Sequence, residues 1–249
     1  GMSYGNYIEQ LSYLLFLKMA NEKEIKLPDN CDWDYLNSKS GTVLLEKYAE
    51  ALRKLGKEKG LLKDIFAKSS SAFNEPKNLK KLLSEMNNTD FSSLGVDVKS
   101  KLYEGLLEKY ASNEKGAGQY FTPRPLISSI VKCVQPNFDI PNYTIHDPAC
   151  GTGGFLIAAC EWIMKLTDDG SKLKDSDKIR LVKKTFSGMD NVVSTRRLGL
   201  MNCFIHEIEP EIYFGDSLGI GPHVDKQYDL ILTNPPFGKK SSISIVNKA

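Results

Sequence analysis

The chain has 249 residues, 41% hydrophobic and 26% charged, a balance that fits an ordinary globular protein and excludes fibrous and low-complexity classes. The net charge of +2 neither demands nor excludes nucleic acid, and no apolar run approaches the ~20 residues that a bilayer span requires, so no membrane association is expected. The five cysteines are odd in number, widely spaced and lack a C-x-x-C pair, so neither a disulfide framework nor a zinc site is indicated, and a reducing, cytoplasmic setting is expected.

From the N-terminus, apolar residues recur at three and four over residues 4–20, with so much apolar content that this helix is expected to be buried. The same period predicts helices over 42–57, 61–68, 78–86 and 98–110, with turn-rich pieces between them and no strand pattern before about Tyr143. Residues 1–112 are therefore read as an all-helical domain, and residues 113–249 as the beginning of a second one. The polar, glycine-rich stretch 113–118 reads as the connection. Thr122 is predicted to cap a helix with Pro123 in its first turn, leading into residues 126–134.

After that the pattern alternates: strand 143–146, helix 155–166, strand 185–189, helix 193–206, then strands 211–214 and 228–233. Alternation of this kind predicts an α/β class with a doubly wound, mostly parallel sheet. Residues 168–178 are polar and predicted to be a solvated loop. The strand 229–232 is apolar enough to want neighbours on both sides, while residues 239–249 carry no pattern, so the chain is expected to be part of a longer protein.

The run Asp147-Pro148-Ala149-Cys150-Gly151-Thr152-Gly153-Gly154-Phe155 joins a predicted strand to a predicted helix. Its glycines let backbone approach a ligand, and the helix start offers unpaired N–H groups. A dinucleotide fingerprint needs a third glycine where Leu156 stands and an acid about 20 residues on, whereas Asp190 lies 37 residues beyond Gly153. No lysine follows the glycines, so a P-loop is disfavoured as well. Asp147, Asp190 and Asp216 end three successive strands and together make an acceptor-rich edge. Asp147 suits an ammonium, Asp190 ribose hydroxyls and Asp216 an adenine amino group, and S-adenosylmethionine fits that set. Taken singly, each aspartate is as readily explained as a strand-end cap.

Asn234-Pro235-Pro236-Phe237 follows the last apolar strand. The Asn234 side-chain oxygen and the Pro235 carbonyl can accept hydrogens from a planar amine whose lone pair is delocalised, and so aim the nitrogen at a methyl donor. The prolines fix the backbone, and Phe237 offers a face for a flipped-out base. Cys150 reads as small and buried, and His146, His206 and His223 lack ligand spacing, so no metal is expected.

These motifs resemble those of the amino-methylating DNA methyltransferases, most closely the modification subunit of type I restriction-modification systems. Gln119-Tyr120-Phe121-Thr122-Pro123 is similar to their first cofactor motif, and the run from Asp147, Pro148, Gly151, Thr152 and Gly153 to Phe155 to their glycine motif. Asp190 matches their ribose-binding acid, Gly215-Asp216-Ser217-Leu218 their adenine-side motif, and Asn234 to Phe237 their catalytic tetrapeptide. The N-terminal helices resemble the helical domain of those subunits. The resemblance implies a class I S-adenosylmethionine-dependent methyltransferase fold, here in part, and N6-methylation of adenine in DNA. It implies a separate specificity subunit and a restriction endonuclease subunit as partners. A methyltransferase for a protein glutamine amide or an RNA base, and a catalytically incomplete assembly module, are the alternative readings.

Overall fold

The computed structural model describes residues 2–91, 93–94, 96–113, 121–219 and 226–236, and Gln119, Tyr120 and Phe237 of the expected motifs lie outside them. Six helices come first: α1 (Tyr4–Glu22), α2 (Trp33–Asn37), α3 (Gly41–Leu55), α4 (Leu61–Phe66), α5 (Pro76–Asn87) and α6 (Val96–Asn113). Then follow α7 (Arg124–Val134), β1 (Ile145–Asp147), α8 (Gly154–Leu166), α9 (Asp175–Lys184) and β2 (Phe186–Asp190). The described chain closes with α10 (Val193–Ile205), β3 (Glu211–Phe214) and β4 (Leu230–Ile231).

A helix that is apolar all round must be buried all round, and α1 is: every side chain from 12 to 17 is buried. Its two interior polar residues are satisfied locally. The Gln10 amide N–H donates to the Ser70 carbonyl at 2.9 Å while its oxygen accepts from the Tyr48 hydroxyl at 3.1 Å, and the Ser12 and Tyr103 hydroxyls meet at 2.8 Å. Helices α2 and α6 pack on α1, and α5 packs on α2 and α3, where Leu44, Tyr48, Ala51, Leu52 and Leu55 form the buried stripe of α3.

The sheet runs in the order β3-β2-β1-β4, and each of its three pairings is parallel. The expected α/β class with a helical N-terminal part therefore holds. The chain leaves β1 towards β2 and β3 and only then returns to β4 on the other side. Its carboxyl edge thus has a reversal of strand order between β1 and β4, the place where open α/β sheets bind ligands.

Helix α10 joins the two layers. It packs on β2 and β3 with one face and on α1, α4 and α6 with the other, and residues 197–205 are all buried. Leu198, Leu200, Met201, Cys203 and Ile205 supply the apolar contact.

Three local expectations are corrected. Part of the loop expected at 168–178 is α9, a polar helix with Asp175 and Asp177 in its first turn and Lys183 and Lys184 in its last. Those charges complement the helix dipole, and the single buried Leu181 anchors it, a signal too weak for apolar periodicity. Helix α2 lies in a stretch read as a turn. The Asp32 carboxylate accepts from the Tyr35 N–H at 2.8 Å, and Trp33 is buried with its indole N–H donating to Asn87 at 2.7 Å. Finally, Pro123 rather than Thr122 occupies the cap of α7, with no side-chain cap bond, because its extended backbone (φ −57°, ψ 132°) precedes the first helical residue, Arg124. Among the described residues no helix is long and apolar enough to cross a membrane.

Candidate functional site

Parallel pairing places the ends of three strands side by side. The pairings of Asp147 with Gly188 and of Asp190 with Phe214 put both acids at the carboxyl edge. The Leu232 N–H donates to the His146 carbonyl at 3.0 Å, which carries the β1–β4 ladder to within two residues of Asn234. Asp147 and Asn234 therefore flank the β1/β4 reversal.

Asp147 is 1% exposed, and its Oδ1 accepts the Ala149 N–H at 3.1 Å, closing the turn into the glycine run. Burial raises its carboxyl to about 7, against the Thr233 hydroxyl and the Ala149 N–H, while the Asp190 charge adds to the rise. A buried acid among an N–H, a hydroxyl and a second acid favours a cationic neighbour over an anionic one.

The glycine run turns on two left-handed residues, Gly151 (φ 54°) and Gly153 (φ 78°), and delivers Gly154 as the first residue of α8. Asp190 clips this turn from β2. Its Oδ2 accepts the Gly151 N–H at 3.1 Å and its Oδ1 the Val192 N–H at 2.7 Å. Burial raises its carboxyl, opposed by those two N–H groups. Helix α10 supports the turn from the other side. The Asn202 amide donates to the Thr152 carbonyl at 2.9 Å, and a Cβ on Gly199 would stand 2.7 Å from the Gly151 oxygen. Thr152 and Phe155 are themselves buried and support the turn from within the core, and the Cys150 thiol, also buried, is pushed far up by burial.

Beyond β3 the Asp216 side chain is exposed and its Oδ1 accepts the Leu218 N–H at 3.0 Å, with Ser217 half-buried beside it. At the far side of the edge Asn234 is half-buried, and its Nδ2 donates to the Thr122 hydroxyl at 3.1 Å. Pro235 and Pro236 are exposed, Pro148 and Thr122 half-buried, and the half-buried Phe121 packs against the core. The structure thus gathers residues from all five motifs at one sheet edge.

Sequence reading missed the group that ties this edge to the helices. Arg124 donates to the Gly154 carbonyl at 3.2 Å and to Glu161 at 2.6 Å, and its Nε pairs with Glu104 of α6 at 3.0 Å. His206 closes the ring, 3.5 Å from Glu104 and 3.3 Å from Glu161. Position alone makes these residues partners, although the arginine directly after the Thr122-Pro123 pair was a signal within a motif already singled out. Gly199 and Asn202 carried no signal beyond lying on a predicted helix.

The acceptor-rich edge, the left-handed turn and the buried acid suit a cationic, phosphate-free nucleoside. The family described as N-6 DNA Methylase matches residues 95–248. Over 98% of its length the chain is 39% identical to the Type I restriction enzyme StySPI methylase subunit of Salmonella potsdam, and 38% identical to the EcoKI methylase subunit of Escherichia coli K12. Each alignment covers 49% of the relative, so the chain spans about half the length of these curated relatives. A solved structure described as the basis of complex assembly and conformational transition of the type I R-M system superposes with a TM-score of 0.75 at 25% identity, over 96% of this chain and 52% of that one.

Proposed function

The chain belongs to the N-6 DNA methylase family, and on that premise we propose that it is the helical domain and the first part of the catalytic domain of a type I modification subunit, which methylates adenine N6 in DNA. The observation that carries this reading is the placement of Asp147 and Asn234 on either side of the β1/β4 reversal, so that a cofactor side and a reaction side share one crevice. The division between the two domains is proposed after residue 112, where the helices give way to the strand-bearing part.

S-adenosylmethionine is the proposed cofactor, and when bound it would supply an electrophilic methyl group carried on a sulfonium. Asp147 and the turn from Gly151 to Gly153 would hold its amino-acid end, Asp190 its ribose, and Asp216 and Ser217 its adenine. Pro148, Thr152 and Phe155 shape the turn, and Gln119, Tyr120 and Phe121 would complete the cofactor side. Asn234 and the Pro235 carbonyl accept the hydrogens of the adenine amine. That arrangement localises the nitrogen lone pair and leaves it facing the methyl donor, so alignment does most of the work. Pro236 keeps the tetrapeptide extended, and Phe237 stacks on the extruded base.

DNA, a specificity subunit and a restriction endonuclease subunit are the proposed partners, and the cytoplasm the proposed location. The test is transfer of a tritium-labelled methyl group from S-adenosylmethionine to adenine in DNA. It uses a polypeptide of the relatives' length that carries this chain, mixed with a type I specificity subunit. Transfer that disappears in Asn234→Ala supports the reading. Labelled RNA or labelled protein glutamine in place of DNA would overturn it.

A further inference from the structure

We propose that Thr122 is a positioning residue for Asn234: its hydroxyl takes the Asn234 amide N–H and thereby turns the amide oxygen towards the substrate amine. The inference rests on the methyltransferase reading above, and it moves Thr122 from the cofactor side of the site to the reaction side.

Three observations carry it. The bond from Asn234 Nδ2 to Thr122 Oγ1, at 3.1 Å, joins residues 112 positions apart, so it ties the motif ahead of α7 to the one after β4. Both residues precede a proline, Pro123 and Pro235, and a residue before proline is held to extended backbone. Backbone rotation is thereby restricted at both ends, which leaves the side-chain torsions as the main freedom. Both side chains are also half-buried, which shelters the bond from water.

The chemistry needs this choice of orientation. A primary amide has a donor end and an acceptor end of nearly identical shape. The adenine amine is itself a donor, so it must meet the oxygen. An amide free to flip presents its own NH2 to that amine for part of the time, and each such encounter is unproductive. With the N–H end held by Thr122, the oxygen is the end left to face the crevice.

Thr122→Val keeps the shape and removes the hydroxyl, whereas Thr122→Ser keeps the hydroxyl. In the full-length polypeptide with its specificity subunit, Thr122→Val is expected to lower kcat about tenfold or more through lost alignment. Its KM for DNA and its Kd for S-adenosylmethionine by calorimetry stay within about twofold, since the bond aims a group and makes no ground-state contact. Thr122→Ser restores kcat. A second readout does not need the reaction: in the 249-residue chain, the Asn234 side-chain amide protons, assigned by their loss in Asn234→Asp, exchange with solvent more slowly in wild type and Thr122→Ser than in Thr122→Val. Unchanged kcat in Thr122→Val overturns the proposal. So does a weakened cofactor Kd with kcat retained, and so does equal exchange in all three forms. If the wild type transfers no methyl group, the functional reading fails while the exchange measurement still decides the role of Thr122.

Discussion

The Arg197 guanidinium on α10 lies against the Glu9 carboxylate on α1, across 188 residues of sequence. The same guanidinium donates to the Ile65 and Ala67 carbonyls at the end of α4, both at 2.7 Å, and sits over the Tyr13 ring. Burial lowers it to about 10, which leaves it charged at neutral pH. It therefore closes the carbonyl end of a short helix and neutralises an acid in one step.

Replacing Arg197 with Met orphans two carbonyls and a largely buried acid at once. The expected cost is about 3 kcal/mol or more, the range for breaking a buried ion pair. Urea unfolding followed by circular dichroism would read it as a lower midpoint with an unchanged slope. Glu9→Gln keeps an acceptor for the arginine and is expected to cost about 1 kcal/mol.

Asp147 makes a prediction with a definite sign. Its folded value, about 7, lies above the ordinary 3.8, so the folded state holds the proton more tightly than the unfolded state does. That contribution to stability is fully present below about pH 4 and is lost as the pH rises through about 7. Asp147→Asn keeps an acceptor for the Ala149 N–H and removes the buried charge. Its melting temperature is expected to exceed that of the wild type at pH 8, with the gain vanishing near pH 4. Calorimetry on the same variant should show S-adenosylmethionine binding weakened about tenfold or more, through loss of the charge facing the cation. Equal melting temperatures at pH 8 would show that the carboxyl titrates normally.

Gly199→Ala tests the close approach of α10 to the glycine turn. The new Cβ would meet the Gly151 oxygen at 2.7 Å and the Thr152 backbone at 3.4 Å, and neither is the movable end of a side chain. A loss of about 1–3 kcal/mol is expected from overpacking, together with weaker cofactor binding. Gly105→Ala on α6 is the control, because its Cβ meets nothing within 4 Å. There a gain of about 0.5–1 kcal/mol is expected from helix propensity alone.

His206 should report the Arg124 ring. Burial pushes its imidazole down, but the hydrogen bonds and charges of Glu104 and Glu161 outweigh it and raise the value above 6.5. Stability from this group is therefore full below pH 6.5 and declines as the pH rises through the raised value. Arg124 competes for the same two carboxylates, so Arg124→Met is expected to raise the imidazole further. Nuclear magnetic resonance titration of the His206 ring signals in the two forms measures both effects. An imidazole that titrates below 6.5 in the wild type would mean that the two carboxylates do not hold it.

What the sequence revealed was local. The heavy apolar content of residues 4–20 foretold a buried α1, and the strand, glycines and helix around Asp147 formed a unit within a dozen residues. Alternation of period from 3.6 to 2 foretold the parallel sheet. Polar α9 and five-residue α2 escaped because neither carries a repeating apolar stripe. The relationships that organise the site escaped for a different reason. Thr122 and Asn234 were each noticed in a motif, yet nothing in either motif says that they touch. Arg196 and Arg197 carried no signal beyond lying on a predicted helix, whereas Arg196 reaches Asp64 and Arg197 is buried. A side chain's partner 100 or more residues away is set by the fold, and periodicity is blind to it.

Helix α10, with both faces occupied, also determines how the molecule comes apart. Melting one layer while its neighbour stays folded would strip apolar cover from the shared helix, whose Met201 and Phe204 are buried in the intact fold, and is therefore costly. The two architectures recognised in the sequence are therefore expected to unfold in one transition, with the helical and tertiary signals lost together in urea.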